Sequence, residues 1–289
     1  MNKKWGTPDD ERDISEFEAR DLMCEIGRRL WAMQMADANS GNLSYRLGPD
    51  RVLATPTWIA KGFMEPDDLV VLDLKGNQVS GKRKKTSEVL LHLEVYRNRE
   101  DVQAVVHAHP RHALAFAITK TPVPKCVLAE MELFVGEVPM TEYNTPGSQD
   151  FADSLKPYVR DFTTFLLAQH GALTVGRGLI EACWRMEILE GFCAMIIAAN
   201  QLGAVERVSD EQLAAILRVK KGWGQPDRRY GDAEAAKCST PPPGVGRANA
   251  PPAANPGGPA GRNESPAQGI QPTLVESVVR KVLQRLETP

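Results

Sequence analysis

Two histidines two positions apart, His107 and His109, follow an apolar run, Ala104-Val105-Val106, that reads as a buried strand. Side chains at i and i+2 on a strand point the same way, so both imidazoles face one cavity. A third, His170, stands in Leu-Leu-Ala-Gln-His-Gly at 166–171, again behind an apolar run. Any one of them could be a core histidine satisfied by its neighbours. Three at strand ends favour a set of neutral nitrogen ligands for zinc or another transition metal. Near such a metal a carboxylate can coordinate or act as general base, and Glu88 is the candidate. Its alternative role is a first-turn glutamate that stabilises a helix dipole.

Three polar clusters accompany these residues: Asn39-Ser40-Gly41-Asn42-Leu43-Ser44, Ala54-Thr55-Pro56-Thr57 and Lys85-Thr86-Ser87-Glu88. Hydroxyls, an amide and free helix N–H groups converging on one cavity would make an anion site suited to a phosphate. Taken singly, each is ordinary loop chemistry, and Thr86 or Ser87 then reads simply as a helix cap.

The elements that must position these groups follow from periodicity. The pattern predicts helices over 14–35, 88–97, 112–118, 148–159 and 179–202, and strands over 44–46, 52–54, 69–73, 102–108, 127–133, 138–140, 163–168 and 172–175. Strands come in runs between helices without strict alternation. A layered α/β fold with a largely antiparallel sheet is therefore expected over a doubly wound parallel one.

Composition bounds the function class. The chain has 289 residues, 42% of them hydrophobic, and a net charge of -2, which argues against a general nucleic-acid binder. No stretch approaches the roughly eighteen apolar residues of a membrane span, and the charged N-terminus lacks an apolar signal core, so a cytoplasmic protein is expected. Five scattered cysteines with no C-x-x-C suit reduced thiols. Residues 1–237 read as the catalytic domain and 238–272, rich in Pro, Gly and Ala, as a disordered linker. Residues 273–289 read as an amphipathic helix, with Thr273 and Glu276 as a capping box and Leu274, Val275, Val278, Val279, Val282, Leu283 and Leu286 on one face. Such a helix on a tether suits docking to a partner.

Ser40-Gly41-Asn42-Leu43-Ser44, Thr55-Pro56-Thr57, Thr86-Ser87-Glu88, His107-Ala108-His109 and Gln169-His170-Gly171, in this order, resemble the class II aldolase/adducin family over roughly residues 14–220. The resemblance implies a three-layer α/β/α fold, a cyclic homotetramer with active sites between subunits, and one Zn2+ per subunit on His107, His109 and His170. Within the family the match is to the L-fuculose-phosphate aldolases. That implies a substrate phosphate held by Asn42, Thr57, Thr86 and Ser87, Glu88 as catalytic acid/base, and cleavage of a deoxyketose 1-phosphate of the L-fuculose or L-rhamnulose type to dihydroxyacetone phosphate and lactaldehyde. The family also contains sugar-phosphate 4-epimerases, methylthioribulose-phosphate dehydratases and non-catalytic adducin-like proteins. The tail resembles the encapsulation peptides of bacterial microcompartment enzymes, which implies a shell protein as partner. Two positions depart from the aldolase pattern: Trp58 follows Thr57 where the family has glycine, and Leu128 stands where the aldolases carry a catalytic tyrosine. Glu130, Glu132 or Tyr143 could substitute, Glu132 lying close to where related epimerases hold an acidic catalytic residue.

Overall fold

The computed structural model describes residues 6–11 and 14–240, all within one compact unit. The expected tail helix, and the linker beyond residue 240, lie outside the described residues. The strands are β1 Asn42–Arg46, β2 Arg51–Ala54, β3 Val70–Asp73, β4 Gln78–Ser80, β5 Ala104–Ala108, β6 Met140–Thr141, β7 Thr164–Leu167 and β8 Gly171–Gly176. They form one sheet in the order β4-β3-β2-β1-β5-β8-β7-β6, in which only β6 and β7 pair in parallel. The helices are α1 Glu16–Ala32, α2 Val89–Asn98, α3 Arg111–Thr119, α4 Ala129–Phe134, α5 Gln149–Asp153, α6 Leu179–Leu202 and α7 Asp210–Gly222.

Strand alternation sorts the core into two layers. Leu53, Val71, Ala104, Val106 and Ala108 point to one side, against Leu22, Met23, Ala113, Leu189 and Phe192 from α1, α3 and α6. Val52, Val70, Leu72, Val105, Leu173 and Val175 point to the other, against Leu91 and Tyr96 of α2 and Phe151 of α5. The result is the expected α/β architecture, a mostly antiparallel sheet flanked by helices. Parity also aims the site. His107 shares the side of Val105, and its cross-strand partner is Asn42, so both face α2.

Four expectations change. Residues 127–133, expected as a strand, contain α4: Leu128, Met131 and Val135 recur at helical spacing and pack on one layer, and Ala-Glu-Met-Glu-Leu favours helix. Helix 148–159 shortens to α5, and the exposed edge strand β4 had no apolar pattern to reveal it. The cysteines are not all free thiols: Cys126 and Cys238 form a disulfide across 112 residues, while Cys24, Cys183 and Cys193 are free and buried. Cys238, assigned to the linker by composition, is therefore buried and tied to the body with Leu213 and Leu217 of α7.

Candidate metal centre and active site

β5 delivers His107 at its penultimate residue, and the chain leaves the sheet through His109 before α3 begins. The backbone N–H of His109 donates to the Met35 carbonyl at 2.7 Å, which pins that exit against the end of the first helical segment. His170 sits in the turn between β7 and β8, where Gln169 adopts φ 55°. Gly171 is required next to it: a Cβ there would stand 2.7 Å from the Ala108 carbonyl and 2.8 Å from the His109 ring.

The three imidazoles converge. The rings of His107 and His170 stack with centroids 4.9 Å apart, and His109 meets each edge-on at 5.1 Å. Their ligating nitrogens all lie within 4.8 Å of one another. His107 Nδ1 is 2.9 Å from the Ala172 carbonyl and must donate to it, which leaves Nε2 bare. That Nε2 faces His109 Nε2 at 3.3 Å. His170 Nε2 is buried without a hydrogen-bond partner, although Glu88 Oε1 lies 2.9 Å away. Three ring nitrogens converging on one point, that of His107 bare and that of His170 orphaned, are a donor set that a divalent cation satisfies. Burial holds all charge off the pair: the His107 imidazole is pushed down to about 3 and His109 is also lowered, with His170 adding to the effect on both. Neutral rings are what ligation requires.

Glu88 is the N-cap residue of α2, with φ -98° and ψ 18°, and its side chain makes no capping bond. Thr86 Oγ1 accepts from the Glu88 N–H at 3.3 Å, and no side chain caps the N–H groups of the first turn. Its carboxylate turns into the cluster, with Oε2 3.3 Å from His107 Nε2. Asn42 Nδ2 donates to the same Oε2 at 2.7 Å. Burial favours the protonated acid, but the adjacent histidines and the Asn42 amide outweigh it and hold Glu88 below the usual carboxylate range.

The three polar clusters are laced together around this centre. Leu43 N donates to Thr55 Oγ1 at 3.1 Å, Thr57 N to the Lys84 carbonyl at 2.9 Å and Thr86 N to the Thr55 carbonyl at 3.2 Å. Asn42 and Thr86 are buried, Thr57 is half-buried and Ser87 is exposed. Trp58 takes φ 59°, the left-handed region a glycine adopts freely, and is 83% exposed, so its indole turns to solvent.

Glu132 stands elsewhere. It is 1% exposed, Oε1 accepts from Cys126 N and Oε2 pairs with Arg229 Nη1 at 2.6 Å. Glu130 and Tyr143 are exposed, and Leu128 packs against the core. Two buried groups escaped the sequence reading. Lys61 donates to the Asn39 and Ile59 carbonyls at 3.1 and 2.7 Å, and burial pushes its ammonium down to about 8. His92, one helical turn past Glu88, approaches Asn42 Oδ1 at 2.5 Å. The four-residue spacing from Glu88 was the one signal that could have revealed it.

Known proteins resemble this chain in sequence and in fold. Over 190 residues, 66% of this chain and 99% of the relative, the protein is 31% identical to the L-fuculose phosphate aldolase of Methanococcus maripaludis. It is 34% identical over 185 residues to the 3-oxo-tetronate 4-phosphate decarboxylase of Escherichia coli, covering 63% of this chain and 87% of that one. The structure of YgbL from Escherichia coli superposes with a TM-score of 0.65 at 30% identity, over 70% of this chain and 98% of that one. An L-fuculose 1-phosphate aldolase structure does so with a TM-score of 0.66 at 26% identity, over 72% and 100%. Residues 21–197, which carry all three histidines and Glu88, match the Class II Aldolase and Adducin N-terminal domain, and the chain belongs to that family of lyase-type enzymes.

Proposed function

We propose that this protein is a metal-dependent lyase that breaks a carbon–carbon bond in a phosphorylated ketose, with the buried Glu88 carboxylate beside the three histidines as the observation that carries the reading. A Zn2+ ion held by His107, His109 and His170 would supply Lewis-acid polarisation of the ketone. Glu88 moves the proton at the carbon next to that ketone. The Thr57 and Thr86 hydroxyls, Ser87 and the remaining Asn42 N–H hold the phosphate.

Two substrate classes share one intermediate. Retro-aldol cleavage of a ketose 1-phosphate breaks C3–C4 and leaves the electron pair on C3, giving the enediolate of dihydroxyacetone phosphate. Decarboxylation of a 3-oxo-tetronate 4-phosphate breaks C1–C2 and leaves the same enediolate after carbon dioxide departs. Each then needs one proton on the hydroxyl-bearing carbon, the step assigned to Glu88. The aldol reading takes L-fuculose or L-rhamnulose 1-phosphate to dihydroxyacetone phosphate and lactaldehyde, and it also needs a base for the C4 hydroxyl. Decarboxylation needs no such base, and Leu128, which has no proton to exchange, favours this second reading.

The test is to incubate zinc-loaded protein with L-fuculose 1-phosphate, L-rhamnulose 1-phosphate and 3-oxo-tetronate 4-phosphate. Dihydroxyacetone phosphate is the expected product, with lactaldehyde or carbon dioxide marking which bond broke. Its absence from all three overturns the proposal. Family resemblance supports a homotetramer, which light scattering of the full chain checks. The apolar stripe in the sequence of residues 273–286 supports docking on a microcompartment shell protein. A fluorescent protein carrying residues 270–289 should enter shells, and one that stays diffuse overturns that assignment.

A further inference from the structure

Behind Glu88 a line of buried polar groups crosses the layer between β1 and α2. Asn42 Nδ2 lies 2.7 Å from Glu88 Oε2, Asn42 Oδ1 2.5 Å from His92 Nε2, His92 Nδ1 2.6 Å from Ser44 Oγ, and Ser44 Oγ 2.8 Å from Tyr96 Oη. All five residues are buried. They come together because Asn42 and Ser44 share one face of β1, while Glu88, His92 and Tyr96 recur every four residues along one side of α2.

Every proton in this line has a single position. The carboxylate only accepts, so Asn42 Nδ2 donates to it and Oδ1 faces His92. An amide oxygen only accepts, so His92 Nε2 carries the hydrogen. Burial keeps that ring neutral, lowering it to about 4, so Nδ1 is bare and Ser44 Oγ–H must donate to it. Ser44 Oγ then accepts from Tyr96 O–H. A chain with one direction is stiffer than its separate bonds, because reversing any member leaves a buried group unpaired.

We propose that Tyr96, Ser44 and His92 are positioning residues that act through Asn42 to hold Glu88 Oε2 as a fixed acceptor, leaving Oε1 as the oxygen that exchanges the proton with substrate. The inference rests on the assignment of Glu88 as the proton-transfer group. It also revises the role of Asn42, whose carbonyl accepts from His92 and one of whose N–H groups donates to the carboxylate, so that only one N–H remains for a phosphate.

The chain meets the site at the Glu88 carboxylate, so its readout is the proton-transfer step shared by both substrate classes. That step is exchange of the hydroxymethyl protons of dihydroxyacetone phosphate with D2O by the full-length, zinc-loaded protein. His92→Leu should lower the exchange kcat by about tenfold or more with KM little changed, the signature of a displaced group rather than lost binding. His92→Gln, which keeps a donor for Asn42, should recover most of the loss at equal thermal stability. Ser44→Ala should cost less, and Tyr96→Phe least. A second measurement needs no substrate: 15N-histidine spectra of the zinc-loaded protein should show His92 with hydrogen on Nε2 and a bare Nδ1 at neutral pH. An Nδ1–H or charged His92 overturns the proposal, as does His92→Leu with wild-type exchange or a loss that glutamine does not restore. Wild-type exchange by Glu88→Gln would instead remove the base assignment, with the tautomer still deciding whether the chain is oriented as described.

Discussion

Two buried polar regions differ in how their groups are satisfied. In the first, around the end of β5, three imidazoles turn ring nitrogens toward one another and toward one carboxylate, and one of those nitrogens has no hydrogen-bond partner. In the second, Glu132, Arg229, Asp227 and Lys220 form an unbroken set of ion pairs at 2.6, 2.7 and 2.9 Å that ties the segment after α7 to α4. Lys125, Glu137 and Arg228 extend it at 3.1 and 2.9 Å. The second region contains more charge and looks, by residue type alone, as much like an active site. Yet every charge has an opposite partner, so nothing is left to act on a ligand. Unsatisfied groups, not buried ones, mark the place for chemistry.

That contrast is broken most directly by exchanging the two glutamates' roles. Glu88→Gln should lower kcat by about a hundredfold or more with zinc retained, whereas Glu132→Gln should leave kcat per folded molecule near wild type. A collapse of kcat in Glu132→Gln at unchanged thermal stability would move Glu132 into the catalytic set. His109→Ala should lose zinc, by elemental analysis, while keeping the fold.

Arg229→Met probes the other side of the comparison. It strands the buried Glu132 carboxylate, while Asp227 keeps Lys220, and loss of one partner of a buried pair costs about 3–5 kcal/mol. Denaturant unfolding should show this loss, and zinc content should not change. Loss of metal without loss of stability would mean that the two regions are not separate.

The neutral histidines set a pH dependence with a defined sign. His92 and His107 are lowered by burial to about 4 and about 3 from an ordinary 6.5, so on acidification the unfolded chain takes up their protons first. Stability is complete above pH 6.5 and is lost as pH falls toward 4 and below. Tm should therefore drop between pH 7 and 4.5, and less steeply in His92→Gln. A flat profile contradicts the burial of neutral rings.

The smallest effect belongs to Trp58→Gly. Removing a side chain from a left-handed position relieves about 1 kcal/mol of strain, against the entropy glycine adds to the unfolded chain. Tm should rise slightly or hold, and a large fall would show that the exposed indole packs against something.

Much of the frame was legible locally. The pattern of apolar residues placed α1, α6 and the strands β1, β2, β3, β5, β7 and β8 to within a few residues, because those elements bury one side or both. α4 was misread because a short apolar run can serve as strand or helix, and its neighbours decided. Edge strand β4 buries nothing and so left no pattern. At the site, the cluster of the three histidines and Glu88 was legible because few residue types can ligate a metal or move a proton, and those types stood at the ends of recognisable elements. His92, Ser44 and Tyr96 were not, since each is ordinary in its own element and gains meaning only from the facing strand.

By itself, the sequence determined the donor set, the layered architecture and the strand parity that turns His107 toward α2. These depend on residue type and on periods of two and 3.6, which are local properties of the chain. Only the tertiary structure decided which polar groups are satisfied. Cys126 found Cys238 across 112 residues and Glu132 found Arg229, so neither was available for the chemistry its type allowed. Asn42 found both Glu88 and His92, and so became part of the support for the carboxylate. Hydrogen bonds and ion pairs have ranges of a few ångströms and no memory of sequence distance, so their partners are settled only when the layers close.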